Sequence, residues 1–201
     1  MSSSKVGFLV NDYKCSSHVY RLIQHVAERP HFSDPVVICI RGRPVKKSFT
    51  KRLIDRLKKA GWLGAPNAFF VVILSGFIRR LESAIFSNEF TKDHKKLDVR
   101  DIPNVVVMDV DGEWSSSGIV LTLADTVTAE IEKMDFSCLV RCGSGILRGK
   151  ILEVPRFGVL SFHHGDNRVN RGGPSGFWEV LYKEPSSGFI IQALNNELDG
   201  G

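Results

Sequence analysis

Two apolar runs flanking an amphipathic stretch constrain this chain more than any other feature of it. Lys5-Val-Gly-Phe-Leu-Val10 is apolar with little alternation, as expected of a strand covered on both faces. After the polar turn Asn11–Cys15, Ser16 or Ser17 can cap a helix whose apolar residues fall at Val19, Leu22, Ile23, Val26 and Ala27, and Pro30 closes it. Val36-Val-Ile-Cys-Ile40 is a second run of the buried type. The first forty residues therefore predict a β–α–β unit built on a parallel sheet.

The same reading carries downstream. Ala68–Phe86 reads as a mostly buried helix, Val105–Met108 as a core strand and Asp111–Gly118 as a loop. Thr122–Lys133 reads as a helix, Phe136–Val140 as a strand, Ile146–Leu152 as a short helix and Gly158–Phe162 as a strand. Phe189, Ile190 and Ile191 read as core, and Phe177 and Trp178 as packing the helix after Pro174 onto the sheet. The expected fold is α/β: a single three-layer Rossmann-like domain over residues 1–201 with a mostly parallel sheet.

Composition narrows the function classes. The chain has 201 residues, 43% hydrophobic and 24% charged, which excludes a disordered or fibrous protein. Cys15, Cys39, Cys138 and Cys142 are too few and too scattered for a disulfide scaffold, and no metal-ligand spacing accompanies them. The apolar stretch Phe69–Ile78 is about half the roughly 20 residues of a bilayer span, and no secretory signal precedes Val6. A cytoplasmic protein with reduced thiols, no metal and no membrane partner is expected. Oligomeric state is not legible.

The net charge of +5 is uneven. Arg41, Arg43, Lys46, Lys47, Lys51, Arg52, Arg56, Lys58 and Lys59 face Asp55 alone, so residues 41–59 carry nine positive charges against one negative. This segment has two readings: the solvated face of an amphipathic helix, or a landing strip for the phosphates of a nucleotide or RNA.

In such folds chemistry sits beyond the carboxyl ends of the strands. The loops starting at Asn11, Cys142 and His163 qualify. No G-x-G-x-x-G follows the first strand and no G-x-x-x-x-G-K-[ST] occurs, which argues against ordinary NAD or nucleoside-triphosphate enzymes. His163 and His164 emerge directly after an apolar strand, and Asp199 precedes Gly200-Gly201 after the run Phe189–Ile191. A histidine and a carboxylate on neighbouring strand ends form the minimal acid–base pair.

Ser161-Phe162-His163, Arg171-Gly172, Ser187-Gly188 and Leu198-Asp199-Gly200-Gly201 follow one another in an order with a counterpart. The chain resembles the catalytic domain of the 10-formyltetrahydrofolate-dependent formyltransferases, whose pattern is Asn-x-His, Arg-Gly, Thr-Gly and Leu-Asp-x-Gly. The spacing matches the methionyl-tRNA formyltransferase branch without a gap. The similarity covers residues 135–201 and is only architectural before that.

The resemblance implies the formyltransferase fold and transfer of a formyl group from 10-formyltetrahydrofolate, a co-substrate, to a primary amine such as methionyl-tRNA or an amino sugar carried on a nucleotide. It implies catalytic roles for His163 and Asp199, with Ser161 or Asn167 as the auxiliary donor. Folate would lie against Gly143, Ser144, Ile146 and Leu147 on one side and Asn196 and Leu198 on the other. The acceptor would enter near Asn11, Arg168, Arg171 and Gly172. Residues 1–201 would then be an N-terminal catalytic domain truncated at its C-terminal end. Ser161 stands where the family has asparagine, which leaves open a second reading: a catalytically impaired homologue that binds folate or a nucleotide sugar.

Overall fold

The computed structural model describes residues 4–42, 96–163, 165 and 177–196, together with isolated helical positions between 70 and 85. By contacts the chain divides into two compact units, Met1–Pro44 with Lys96–Gly201, and Val45–Lys95. The basic residues 43–59 lie outside the described residues.

The β–α–β unit is present. Strand β1 (Val6–Val10) pairs in parallel with β3 (Val36–Arg41), and helix α1 (Ser17–Ala27) connects them; a two-residue strand β2 (Lys14–Cys15) precedes the helix. Ser16 caps α1, its hydroxyl accepting from the Val19 amide at 3.4 Å. Both central strands are covered on each face, which is why their sequences do not alternate. Phe8, Val10, Val37 and Cys39 pack under α1 with Ile23 and Val26, while Leu9, Ile38 and Ile40 enter the opposite core. Each fully buried Leu, Ile or Phe contributes about 1.5–3 kcal/mol relative to exposure.

The opposite core overturns the expectation of a three-layer Rossmann-like domain. It is closed by the folded-over end of the sheet together with Ile131 of one short helix and Ile151 and Leu152 of a 3-10 turn, not by a full layer of helices. Strand β5 (Val106–Trp114) pairs in parallel with β3 up to Asp111, and from Gly112 pairs antiparallel with β6 (Val120–Leu123). β6 continues to β8 (Ile146–Leu147). Leu121 of β6 and Leu147 of β8 are thereby folded onto Leu9, Leu139 and Val159 on the far side of the sheet. The strand order is β10-β9-β7-β1-β3-β5-β6-β8, with β7 (Cys138–Arg141), β9 (Val159–His163) and β10 (Ile190–Leu194). The sheet is mixed, since β9–β10 and β5–β6 are antiparallel. It is nearly closed: the two edge strands β8 and β10 border one cavity.

Among the described residues only three α-helices have bounds: α1, α2 (Asp125–Glu132) and α3 (Phe177–Tyr182). They are too short and too few to cover two faces. None is long and apolar enough to cross a membrane.

Several local expectations change with this architecture. Residues 111–114 belong to β5 rather than a loop, residues 120–123 form a strand before α2, and residues 146–147 form β8 before the short 3-10 turn Lys150–Leu152. Of Ala68–Phe86, read as a mostly buried helix, the described residues Phe70, Leu74, Phe77, Ile78, Leu81 and Ile85 are helical and exposed, and Phe69, Val71, Val72, Ile73 and Phe86 lie outside the described residues. Val106 and Val107, expected in a core strand, are exposed as well. Phe189 and Ile191, read as core, are 68% and 70% exposed, and α3 has no buried residue. The reason lies in strand periodicity: Phe162 and its cross-strand partner Ile191 face away from the side on which Ser161 and Gln192 point inward. Phe189 stacks on Phe162 with ring centroids 5.2 Å apart.

A polar cluster pins the turn after β1. β2 pairs with β4 (Leu97–Asp98), and Asp98 accepts from the Arg100 amide at 3.1 Å and from its Nε and Nη2 at 2.8 and 2.6 Å. Arg100 and Arg41 flank the ring of buried Tyr13, their guanidinium carbons 4.9 and 5.1 Å from its centroid. Arg41 is also paired with Asp109.

Two outcomes follow. A Cβ on Gly112 would meet Ile40 Cγ2 and, at 2.8 Å, Leu121 Cδ1, so Gly112→Val should destabilise by about 1–3 kcal/mol, read from urea unfolding. The Arg100 fork holds the Asp98 carboxyl at about 2, below the ordinary carboxylate range. A depressed folded value stabilises above the unfolded pKa of about 3.9 and is lost as pH falls through the folded one. The stability gap between the wild type and Asp98→Asn should therefore be present at pH 7 and shrink between about pH 4 and pH 2 in thermal melts.

Candidate functional site

Register decides which side chains meet at the end of the sheet. Arg141 of β7 is paired with Ser161 of β9, and Ser161 with Gln192 of β10. Side chains opposite one another share a face, as do residues two apart along a strand. Arg141, Ser161 and Gln192 therefore form a polar row across three strands, with His163 one step beyond Ser161. The preceding inward residues, Leu139 and Val159, are core. The row marks where the apolar interior gives way to a site.

That site is a cavity of about 200 Å³. It is lined by Arg141 of β7, Ser161, Phe162 and His163 of β9, Gln192 and Leu194 of β10 with Asn195 after it, and Gly143, Gly145, Ile146 and Leu147 in and before β8. It is smaller than the roughly 300–1,000 Å³ of cavities that enclose a whole drug-sized ligand. It suits one ring or one reacting group, with the rest of a ligand outside.

Arg141 is its most unusual member, only 5% exposed. Its Nη1 donates to the Leu9 carbonyl at 3.2 Å, and its Nη2 donates to Asn11 Oδ1 at 3.1 Å and to the Ser144 carbonyl at 2.5 Å. All three acceptors are neutral, and among the described residues no carboxylate pairs with the guanidinium. Burial lowers its pKa to about 10. Asn11 Oδ1 also accepts from the Ser144 amide at 2.6 Å, so one side chain at the end of β1 braces both Arg141 and the loop before β8. Gly143 is required here, because a Cβ would fall on Asn11 Oδ1 and the Arg141 guanidinium.

His163 Nε2, Arg141 Nε and Asn11 Nδ2 are buried and lack a hydrogen-bond partner among the described residues. The Ser161 hydroxyl reaches the neighbouring Phe162 carbonyl at 3.5 Å, the limit of a hydrogen bond. Cys142, directly after Arg141, faces the other core, and burial pushes its thiol up to about 11. Among the described residues no group of three His, Cys, Asp or Glu side chains is placed to hold a metal ion.

Of the site residues expected from sequence, the structure brings Ser161, His163, Gly143, Ile146 and Leu147 to this one cavity. Ser144 takes part through its backbone, and Asn11 through the brace. Asn196 is exposed, its Oδ1 accepting from the Gly149 amide at 3.3 Å. Asp199, Asn167, Arg168, Arg171, Gly172, Leu198 and His164 lie outside the described residues. Sequence reasoning passed over Arg141 as a site residue. Its signal was a lone charge inside the apolar run Cys138–Cys142, at the carboxyl end of a predicted strand.

No protein-family model matches the chain, and no curated protein matches it.

The Asn11 brace makes a checkable claim. Asn11→Ala removes the acceptor for a buried guanidinium and for one amide, which should cost about 1–3 kcal/mol in urea unfolding. It should also accelerate amide exchange at Ser144 specifically.

Proposed function

We propose that the chain transfers a formyl group from 10-formyltetrahydrofolate to a primary amine. The observation that supports this reading is convergence. Residues far apart in sequence, for which the resemblance implies catalysis (Ser161, His163) and folate contact (Gly143, Ile146, Leu147), border one cavity. That cavity, of about 200 Å³, suits one ring or one reacting group.

In this chemistry the amine nitrogen forms a bond to the formyl carbon, and the carbonyl π pair moves onto oxygen. Collapse restores the carbonyl and breaks the bond to folate N10. The amine loses a proton and N10 gains one. His163, with a buried and unpartnered Nε2, is suited to donate to the developing oxyanion and to move that proton. Asp199 is the carboxylate that would orient the imidazole, and Ser161 or Asn167 the auxiliary donor. Arg168, Arg171 and Gly172 would meet the acceptor, with a nucleotide-linked amino sugar and methionyl-tRNA as the two acceptor classes.

Ser161 in place of the family asparagine favours one second reading: a module that binds folate without turning it over. The same assay separates the two. With 10-formyltetrahydrofolate and a panel of methionyl-tRNA, amino sugars and hydroxylamine, release of tetrahydrofolate is expected for at least one amine. His163→Ala is expected to lower that rate by about 10²–10⁴-fold. Folate binding by calorimetry with no release for any amine would favour the binding module, and undiminished turnover by His163→Ala would sink the assignment.

A further inference from the structure

We infer that the Arg141 guanidinium is the charged donor of this cavity, stabilising the oxyanion that forms on the formyl oxygen and taking over the role left open by Ser161. The inference rests on the formyl-transfer reading and deepens it.

Three observations carry it. The first is position. Arg141 and Ser161 are cross-strand partners on the same face, so a donor lost at 161 is replaced from the neighbouring strand within the same polar row. The second is capacity. A guanidinium has five N–H donors, and three are committed here, to the Leu9 carbonyl, Asn11 Oδ1 and the Ser144 carbonyl. Among the described residues no partner takes the other two, one of them on the buried Nε.

The third observation is charge. A cation 95% withdrawn from solvent is expensive unless paired, and among the described residues its three partners are all neutral oxygens. A site that develops negative charge during its reaction gains most from a positive charge already fixed in place. The Asn11 brace and the Leu9 carbonyl supply that fixation, so little reorganisation accompanies the chemistry. Serine offers one neutral, rotatable donor and asparagine two neutral ones, whereas arginine brings full charge at low local dielectric.

The test uses the full chain, 10-formyltetrahydrofolate and the best amine of the panel, with circular dichroism and melting curves for each variant. Arg141→Met should lower kcat by about 10²–10³-fold, the range for loss of one oxyanion donor, with the donor KM within about threefold of wild type. Ser161→Asn introduced into Arg141→Met should recover at least tenfold, which a merely structural role for Arg141 would not produce. Full activity in folded Arg141→Met, a change confined to the donor KM, or no recovery by Ser161→Asn would each overturn the inference.

Arg141→Lys keeps a charge without the planar fork and serves where the methionine variant does not fold. Formate is the probe that needs no turnover: it should raise the melting temperature of the wild type and lose that effect in Arg141→Lys. Wild-type chain that releases no tetrahydrofolate with any amine defeats the formyl-transfer reading. Formate protection that is equal in wild type and Arg141→Lys defeats the role of Arg141 alone.

Discussion

A guanidinium sealed inside a sheet organises this molecule. Arg141 sits where β7 ends, and its hydrogen bonds run to Leu9 of β1, to Asn11 just after that strand and to the loop that becomes β8. Without those contacts the carboxyl end of the sheet would present an uncompensated cation to an apolar interior, at a cost of several kcal/mol. With them, three segments distant in sequence are held in one arrangement, and the cavity between them keeps its shape. Asn11 is the hinge of that arrangement, because its single oxygen serves both Arg141 and Ser144. The polar row of β7, β9 and β10 stands on this foundation.

The second organising fact is the change of partner along β5. A strand that pairs in parallel for six residues and then antiparallel for three has to turn, and Gly112 stands at the junction with Ile40 and Leu121 closing on its α-carbon. The turn carries β6 and β8 over the core, so a sheet covers what a helix layer covers in doubly wound folds. It also brings β8 opposite β10, which gives the cavity its second wall. Architecture and site therefore share one cause.

What could be read from the sequence follows physical lines. The β–α–β start was legible because Val6–Val10 and Val36–Ile40 lack alternation and the intervening apolar residues keep a helical period; the Ser16 cap is equally local. His163 and Ser161 were legible because they close an apolar strand. The folded-over sheet was not, since Asp111–Gly118, with its acids and three consecutive serines, is polar enough to read as a loop, and the strand character of residues 111–114 comes from pairing with β3 and β6. Phe189 and Ile191 misled for a related reason: hydrophobicity says that a residue favours burial, not that the fold supplies a cover. The Asn11 brace is wholly non-local, and no spacing rule reaches across more than half the chain.

The same non-locality bears on how the chain reaches its native state. β1 finds β3 across a short helical connection, but its other neighbour, β7, arrives only when Cys138 aligns with Val6. Closing so large a loop before the contact is rewarded is slow. Until then the second edge of β1 has open backbone hydrogen-bonding groups, beside Phe8 and Leu9, the kind of surface that invites mispairing during biosynthesis.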